Sequence, residues 1–257
     1  MSYEIRPAWW QTLYDDIVAD MLLVRKDETE LQATVAFLCE RLCLHLGSTL
    51  FDQCCGIGSL SLPLARQGVS VLGVDQCVSY IETARRAAHA LGLACRFQIG
   101  DAFDFVPEEP VDAVLNWGTS FGNADDVRNQ RMLERAFQGL RPGGRLVLDY
   151  QHVARVLRHY QPYLVYRHQG ERGETLLVRE SRLDLAAGNL CQRWTFVFPD
   201  GRRDERSSSV KLYLPHTLAA MLTACGFVDV EFCGGISGEV LTLESPRCIA
   251  IARRPQA

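Results

Sequence analysis

A doubly wound α/β fold is the architecture this sequence predicts, and three observations carry it. The segment Leu50–Asp75 reads as a short apolar strand, a glycine-bearing turn, an apolar helix start and a second apolar strand that ends on an acid. Apolar runs at 95–99, 111–117 and 145–150 then alternate with helix-like stretches at 79–91 and 124–140, the rhythm of parallel strands joined by crossover helices. From 163 to 213 the pattern changes to alternating runs joined by turn residues, which predicts antiparallel strands inserted after the fifth strand.

Composition is compatible with this. At 257 residues and 47% hydrophobic, the chain can bury one sizeable core. A net charge of −4 and a pI near 5.9 lack the basic footprint of a nucleic-acid binder. None of the ten cysteines stands in a Cys-x-x-Cys pair, and Cys39, Cys43, Cys225 and Cys248 fall at core-like positions. They are expected to be free and apolar in role, with no metal and no disulfide. The start, Met1-Ser-Tyr-Glu-Ile-Arg, has no apolar leader region and no apolar run approaches membrane-spanning length, so a cytoplasmic protein without a membrane partner is expected.

Taken in order, the elements begin with Trp9, Trp10, Leu13, Tyr14, Ile17 and Met21, spaced as on one amphipathic helix that runs to about Val24. Asp27 looks like the N-cap of a second helix, 28–44. Residues 1–46 thus form N-terminal cap helices, 47–160 and 214–257 the core, and 161–213 an antiparallel lid, all within a single domain. In the core, Gly56 and Gly58 let backbone approach a ligand at a helix N-terminus, and Asp75 can accept from ribose hydroxyls. Asp75 lies 17 residues past Gly58, close to the roughly 20 expected of a nucleoside-binding unit. The turn Arg141-Pro142-Gly143-Gly144 reads as a glycine cap that stops a helix before the fifth strand. Lid strands are expected at 163–168, 175–184, 190–199 and 206–213, then a helix opening at Leu214-Pro215-His216, a strand reaching Glu231 and a closing strand at 247–252.

At Asp52-Gln53-Cys54-Cys55-Gly56-Ile57-Gly58 the chain resembles the class I S-adenosylmethionine-dependent methyltransferases, whose first motif often appears as Asp-x-x-Cys-Gly-x-Gly. Cys54 stands where a longer form of the motif has its first glycine. Gly100-Asp101-Ala102 and the Leu-Arg-Pro-Gly-Gly-Arg-Leu turn follow in the family's order. The resemblance implies a Rossmann-like sheet of seven strands, S-adenosyl-L-methionine as cofactor and S-adenosyl-L-homocysteine as product. It implies a cofactor site at Asp52, Cys54, Cys55, Gly56, Gly58, Asp75, Gln76, Asp101, Ala102, Phe103 and Asn116. Asp101 would accept from the adenine amino group and the Ala102 N–H would meet a ring nitrogen. The inserted sheet is similar to the lid of the glycine and amino-sugar N-methyltransferase branch, which implies a small-molecule acceptor, nitrogen as the expected methyl-accepting atom, and a surface for a homodimer.

The chemistry bounds the site. A methyl group on a sulfonium leaves in one in-line displacement, so positioning dominates, an effect of roughly 7–11 kcal/mol. A base matters only where the nucleophile must lose a proton. Candidates past the carboxyl ends of strands four and five are Asn116, Trp117, Asp149, Tyr150 and His152, with His152 the best titratable base. Asn116 is expected to position, Trp117 to wall the transfer site, and Tyr14 to close the pocket with its ring while its hydroxyl reaches an acceptor. His45, His89, His159 and His168 are assigned no role. Other readings stay open: O-methylation with His152 as base, an RNA or protein acceptor, or a protein that binds the cofactor without turnover. Nucleic acid is disfavoured because an Asp-Pro-Pro-Arg segment is missing and Asn116-Trp117-Gly118-Thr119 replaces Asn-Pro-Pro-Tyr. A nicotinamide enzyme is disfavoured by the absent third glycine of Gly-x-Gly-x-x-Gly.

Overall fold

The computed structural model describes residues 5–25, 27–170 and 173–256. Part of the Met1–Arg6 start, on which the leader expectation rests, lies outside them.

Seven strands form the main sheet: β1 (Thr49–Gln53), β2 (Ser70–Asp75), β3 (Arg96–Ile99), β4 (Val111–Asn116), β5 (Leu140–Tyr150), β10 (Val228–Cys233) and β11 (Cys248–Arg253). Their order across the sheet is β10-β11-β5-β4-β1-β2-β3. The five from β3 to β5 are parallel, and β11 runs antiparallel to both β5 and β10. This is the expected seven-stranded Rossmann-like sheet. Its strands are apolar on both faces because helices cover both. On β4, Val114 joins one core while Ala113 and Leu115 join the other, and on β1 Phe51 and Leu50 divide in the same way. The chain order reverses between β1 and β4, and a cleft opens there beyond the strands' carboxyl ends.

The helices are α1 (Trp10–Leu13), α2 (Asp16–Val18), α3 (Glu28–Arg41), α4 (Ser61–Arg66), α5 (Val78–Ala90), α6 (Asp126–Gly139), α7 (Val153–Arg158) and α8 (Pro215–Ala224). Asp27 caps α3 as expected, its side chain accepting from Glu30 N–H at 3.1 Å. Asp125 caps α6 in the same way.

A second sheet of four antiparallel strands follows β5: β6 (Tyr163–Gly170), β7 (Gly173–Asp184), β8 (Asn189–Val197) and β9 (Arg203–Lys211). Leu177, Trp194 and Phe196 from its inner face share one apolar cluster with Trp9, Trp10 and Leu13 and with the main sheet's Phe51 and Val114. The lid and the N-terminal segment therefore close over the same side of the molecule.

Three expectations need correction. The single N-terminal helix is broken into α1, α2 and a π-turn at Ala19–Leu23, with Tyr14 extended at φ −85°, ψ 118°. In a continuous helix Leu13 C=O would accept from Ile17 N–H. Instead Arg206 Nη1 donates to that carbonyl at 2.6 Å, and Ile17 N–H turns to the Asp15 carboxylate at 3.1 Å. Second, the Pro-Gly-Gly segment does not cap a helix: α6 ends at Gly139, and Arg141–Gly144 already belong to β5. Gly143, at φ +79°, donates to Arg254 O, and a Cβ on Gly144 would stand 2.9 Å from two carbonyl oxygens. Third, Cys43 is exposed at φ +53°, outside the core.

Candidate functional site

The turn after β1 supplies the floor of the cleft. Cys54, Gly56 and Gly58 all carry positive φ (+66°, +56° and +79°), a path that a run of L-residues would resist. A Cβ on Gly58 would press on Phe97 at 3.2 Å and Ala84 at 3.3 Å, so glycine lets α5 and β3 pack close under the turn. Asp75, at the end of β2, accepts from Gly56 N–H and Cys77 N–H, both at 2.9 Å. Those bonds fix the carboxylate across from the glycine turn. Burial raises its pKa, and the same N–H donors oppose the rise. Asp101 accepts from Phe103 N–H at 2.9 Å, which shapes the Gly100-Asp101-Ala102 corner along the same cleft.

Asp52 is buried beside this turn, with Ser61 Oγ donating to it at 2.5 Å. Desolvation pushes its pKa up to about 7, since the hydroxyl only partly compensates the lost water. Cys54 and Cys55 are pushed well above the usual thiol range, first by burial and then by the carboxylates around them. Neither is a reactive thiolate.

The N-terminal segment straps across the opening and is tied down from both sides. From the core, Ser59 Oγ donates to Leu23 O at 2.9 Å, Gln76 Nε2 to Trp10 O at 3.0 Å, and Tyr80 OH to Asp15 O at 2.8 Å. From the lid, Arg206 grips Leu13 O and the Asp15 carboxylate, each at 2.6 Å. Tyr14 faces the cleft between them, its hydroxyl accepting from Asn123 Nδ2 at 3.3 Å. Burial raises this phenol to about 12, so it remains protonated and acts as a donor. Trp10 meets Phe103 edge-on at 5.7 Å, giving an aromatic wall. The enclosed cavity measures about 590 Å³, within the usual range for ligand sites.

A second chamber of about 710 Å³ lies between the end of β5, the lid and the C-terminal segment. Glu30, Thr119, Gln151, Arg179, Gln192 and Arg247 line both spaces, so the two open into one another. On its core wall, Asp149 is 1% exposed and accepts from Arg247 Nη1 at 2.8 Å and Gly118 N–H at 3.1 Å, while its Oδ1 has no partner among the described residues. Burial raises its pKa against the pull of Arg247. His152 is buried too, and its Nε2 lies 2.9 Å from Thr242 O. A carbonyl only accepts, so Nε2 carries the hydrogen and the neutral ring keeps a lone pair on Nδ1. That Nδ1 is buried without a partner among the described residues.

The expected residues thus divide into groups. Asp52, Cys54, Cys55, Gly56, Asp75, Gln76, Asp101, Ala102, Phe103, Tyr14 and Trp117 all line the first cavity, while Gly58 sits beneath the turn. Trp117 also stacks under Arg247 at 5.2 Å. His152 lies in the second chamber. Asn116 lines neither space: buried at 1% exposure, it donates to Gln53 Oε1 at 3.1 Å, and Gln53 in turn donates to Ala102 O and Met132 O. It braces the corner that carries Ala102. Tyr150 spends its hydroxyl on Lys211 O and Tyr213 N–H, tying β5 to the base of the lid. Of the histidines assigned no role, His159 lines the second chamber and His168 pairs with Asp20 at 2.5 Å.

Sequence reasoning missed Asn123, Arg247 and Arg179. Asn123 and Arg247 carry no local signal, because their partners are over a hundred or nearly a hundred positions away. Arg179 did carry one: strand alternation places it on the face of β7 that bears Leu177.

Comparison with known proteins places this geometry. Residues 50–144 match a family described as a methyltransferase domain. Carboxy-S-adenosyl-L-methionine synthase of Yersinia pestis is 30% identical over 121 residues, 45% of this chain and 44% of that protein. The chain therefore matches less than half the length of this curated relative. Among solved structures, the CcbJ methyltransferase from Streptomyces caelestis superposes with a TM-score of 0.79 at 18% identity, covering 96% of this chain and 99% of that one. CalS10 from Micromonospora echinaspora, an amino pentose methyltransferase solved with bound S-adenosylmethionine, gives 0.67 at 18% identity, over 95% and 98% of the two chains. At these identities the structural likeness is one of fold.

Proposed function

We propose that this chain is a class I S-adenosylmethionine-dependent methyltransferase and that it transfers a methyl group from that cofactor to a small molecule, with nitrogen as the acceptor atom. The observation that carries the reading is the Asp75 carboxylate, locked by two backbone N–H groups opposite a glycine turn and facing a chamber that opens beyond it. The residues fit the cofactor. Asp75 offers its carboxylate to a ribose, the Asp101–Phe103 corner meets a flat base beside Phe103 and Trp10, and Asp52 with the Cys54–Gly56 turn takes the cationic methionine end. When bound, S-adenosylmethionine supplies a methyl group on a positively charged sulfonium.

The chain's own groups then have defined tasks. The strap and Trp10 exclude water from the cleft. Tyr14 stays protonated and donates to the acceptor or to the cofactor's carboxylate. His152 lines the acceptor chamber, and its unpartnered Nδ1 lone pair can take a proton from an acceptor amine that arrives protonated. The same lone pair favours one second reading, O-methylation with His152 as general base. An amino pentose methyltransferase among the structural neighbours supports a small-molecule acceptor of amine type.

Calorimetric titration with S-adenosylhomocysteine, with NADH as the comparison ligand, tests the reading. Micromolar binding of the former alone is expected, followed by methyl transfer from labelled cofactor to members of an amine and phenol panel. Binding of NADH alone would overturn it.

A further inference from the structure

Arg179 is the most unusual charge in the described structure. It projects from the inner face of β7 into the space shared by the two cavities. Its Nη2 donates to Tyr166 OH at 2.7 Å, and its guanidinium stacks on Tyr166 at 5.0 Å and Trp194 at 5.3 Å. No carboxylate among the described residues pairs with it, and its buried Nε has no hydrogen-bond partner there. Arg206 is neutralised by Asp15 and Asp204 and Arg247 by Asp149 and Glu30, whereas Arg25 in the first cavity and Arg155 in the second make no ion pair among the described residues; Arg179 differs from those two in that aromatic rings stack on it. Withdrawing a cation from water without a counter-charge is costly. Burial accordingly pulls the guanidinium's pKa down.

We infer that Arg179 is the anchor for a carboxylate on the methyl acceptor, so that the substrate is a small amino or hydroxy acid with an apolar or aromatic body. This rests on the methyltransferase reading and narrows its substrate class. The guanidinium is a planar donor fork suited to a carboxylate. Its immediate neighbours add a neutral donor: Ser181 Oγ accepts from Gln192 Nε2 at 3.0 Å, which leaves the Ser181 hydroxyl hydrogen free to donate. Leu164, Leu190, Tyr166 and Trp194 flank the anchor and would cover an apolar body. His152 lines the same chamber from the core side, so an acid held at Arg179 presents its amine or hydroxyl toward that side.

The test uses the full chain saturated with S-adenosylhomocysteine and three probes of one shape: phenylacetate, phenylacetamide and benzylphosphonate. Calorimetry should show phenylacetate binding at least about tenfold more tightly than the amide, the worth of one charge-assisted hydrogen bond. Arg179→Met should abolish that preference, and Arg179→Lys should retain part of it and control for folding. Equal binding of acid and amide, or a preference that survives Arg179→Met, would overturn the inference. Tighter binding of the phosphonate than of phenylacetate would overturn the carboxylate assignment. S-adenosylhomocysteine affinity is read in the same titrations. Cofactor binding without an acid preference removes the Arg179 anchor and leaves the methyltransferase reading intact. An acid preference without cofactor binding does the reverse.

Discussion

Asp52 couples the proposed cofactor site to pH. Its folded pKa of about 7 stands above the ordinary 3.8. For an acid shifted upward, the folded protein is unpenalised below about pH 4, loses stability as pH climbs to about 7, and loses no more from this group beyond that. The ligand's ammonium group stabilises the carboxylate, so binding near pH 6 should release a proton. We expect S-adenosylhomocysteine affinity to strengthen from pH 6 to 8, with heats that vary among buffers of different ionisation enthalpy. Asp52→Asn should flatten that dependence, weaken binding about tenfold and raise the Tm of the unliganded protein at pH 8 by about 2–4 °C. Flat affinity in the wild type across this range would contradict the coupling. His152 makes a separate prediction. If its Nδ1 takes the acceptor's proton, His152→Ala should lower kcat/KM by about 10²–10⁴ while cofactor binding stays within twofold. Unchanged turnover would make the ring structural.

The elements explain how these residues are presented. β1 and β2 deliver Asp52 and Asp75 because parallel strands buried on both faces end together at one edge of the sheet. The strap is different: broken by Tyr14 and Asp15, it holds its position through bonds to other elements. Arg206→Ala should therefore loosen 13–24, seen as faster amide exchange there, and weaken S-adenosylhomocysteine binding about tenfold. Exchange that is unaltered in this segment would show that the core-side bonds from Ser59, Gln76 and Tyr80 suffice.

Across the molecule, the thiols form a further check. No disulfide joins cysteines among the described residues. Burial raises Cys225 and Cys248 to about 12 and pushes Cys54 and Cys55 well above the usual thiol range. We expect the same Tm with and without reductant, and rapid labelling by a thiol reagent at pH 8 at the exposed Cys43 with the buried thiols lagging far behind. A drop in Tm on reduction would reveal a disulfide that this fold does not contain. Ligand linkage acts on the whole domain as well: S-adenosylhomocysteine at a hundred times its Kd should raise Tm by about 5–10 °C.

Much was legible beforehand because it is local. The glycines at 56 and 58, the acids at 75 and 101, the cap at Asp27 and the period-2 runs of the lid each act over a few residues, so spacing alone locates them. The Asp-x-x-Cys-Gly-x-Gly segment carried the family resemblance for the same reason. Contacts distant in sequence were not legible. Asn116 looked like a site residue at a strand end, yet its side chain turns inward to Gln53; the apolar periodicity before Tyr14 read as one helix until Arg206, from the lid, took the Leu13 carbonyl. Arg179 shows the division most clearly. Its place on the inner face of a strand follows from alternation, whereas its want of a counter-charge depends on which acids the folded chain brings near, and that is settled only when the lid closes on the core.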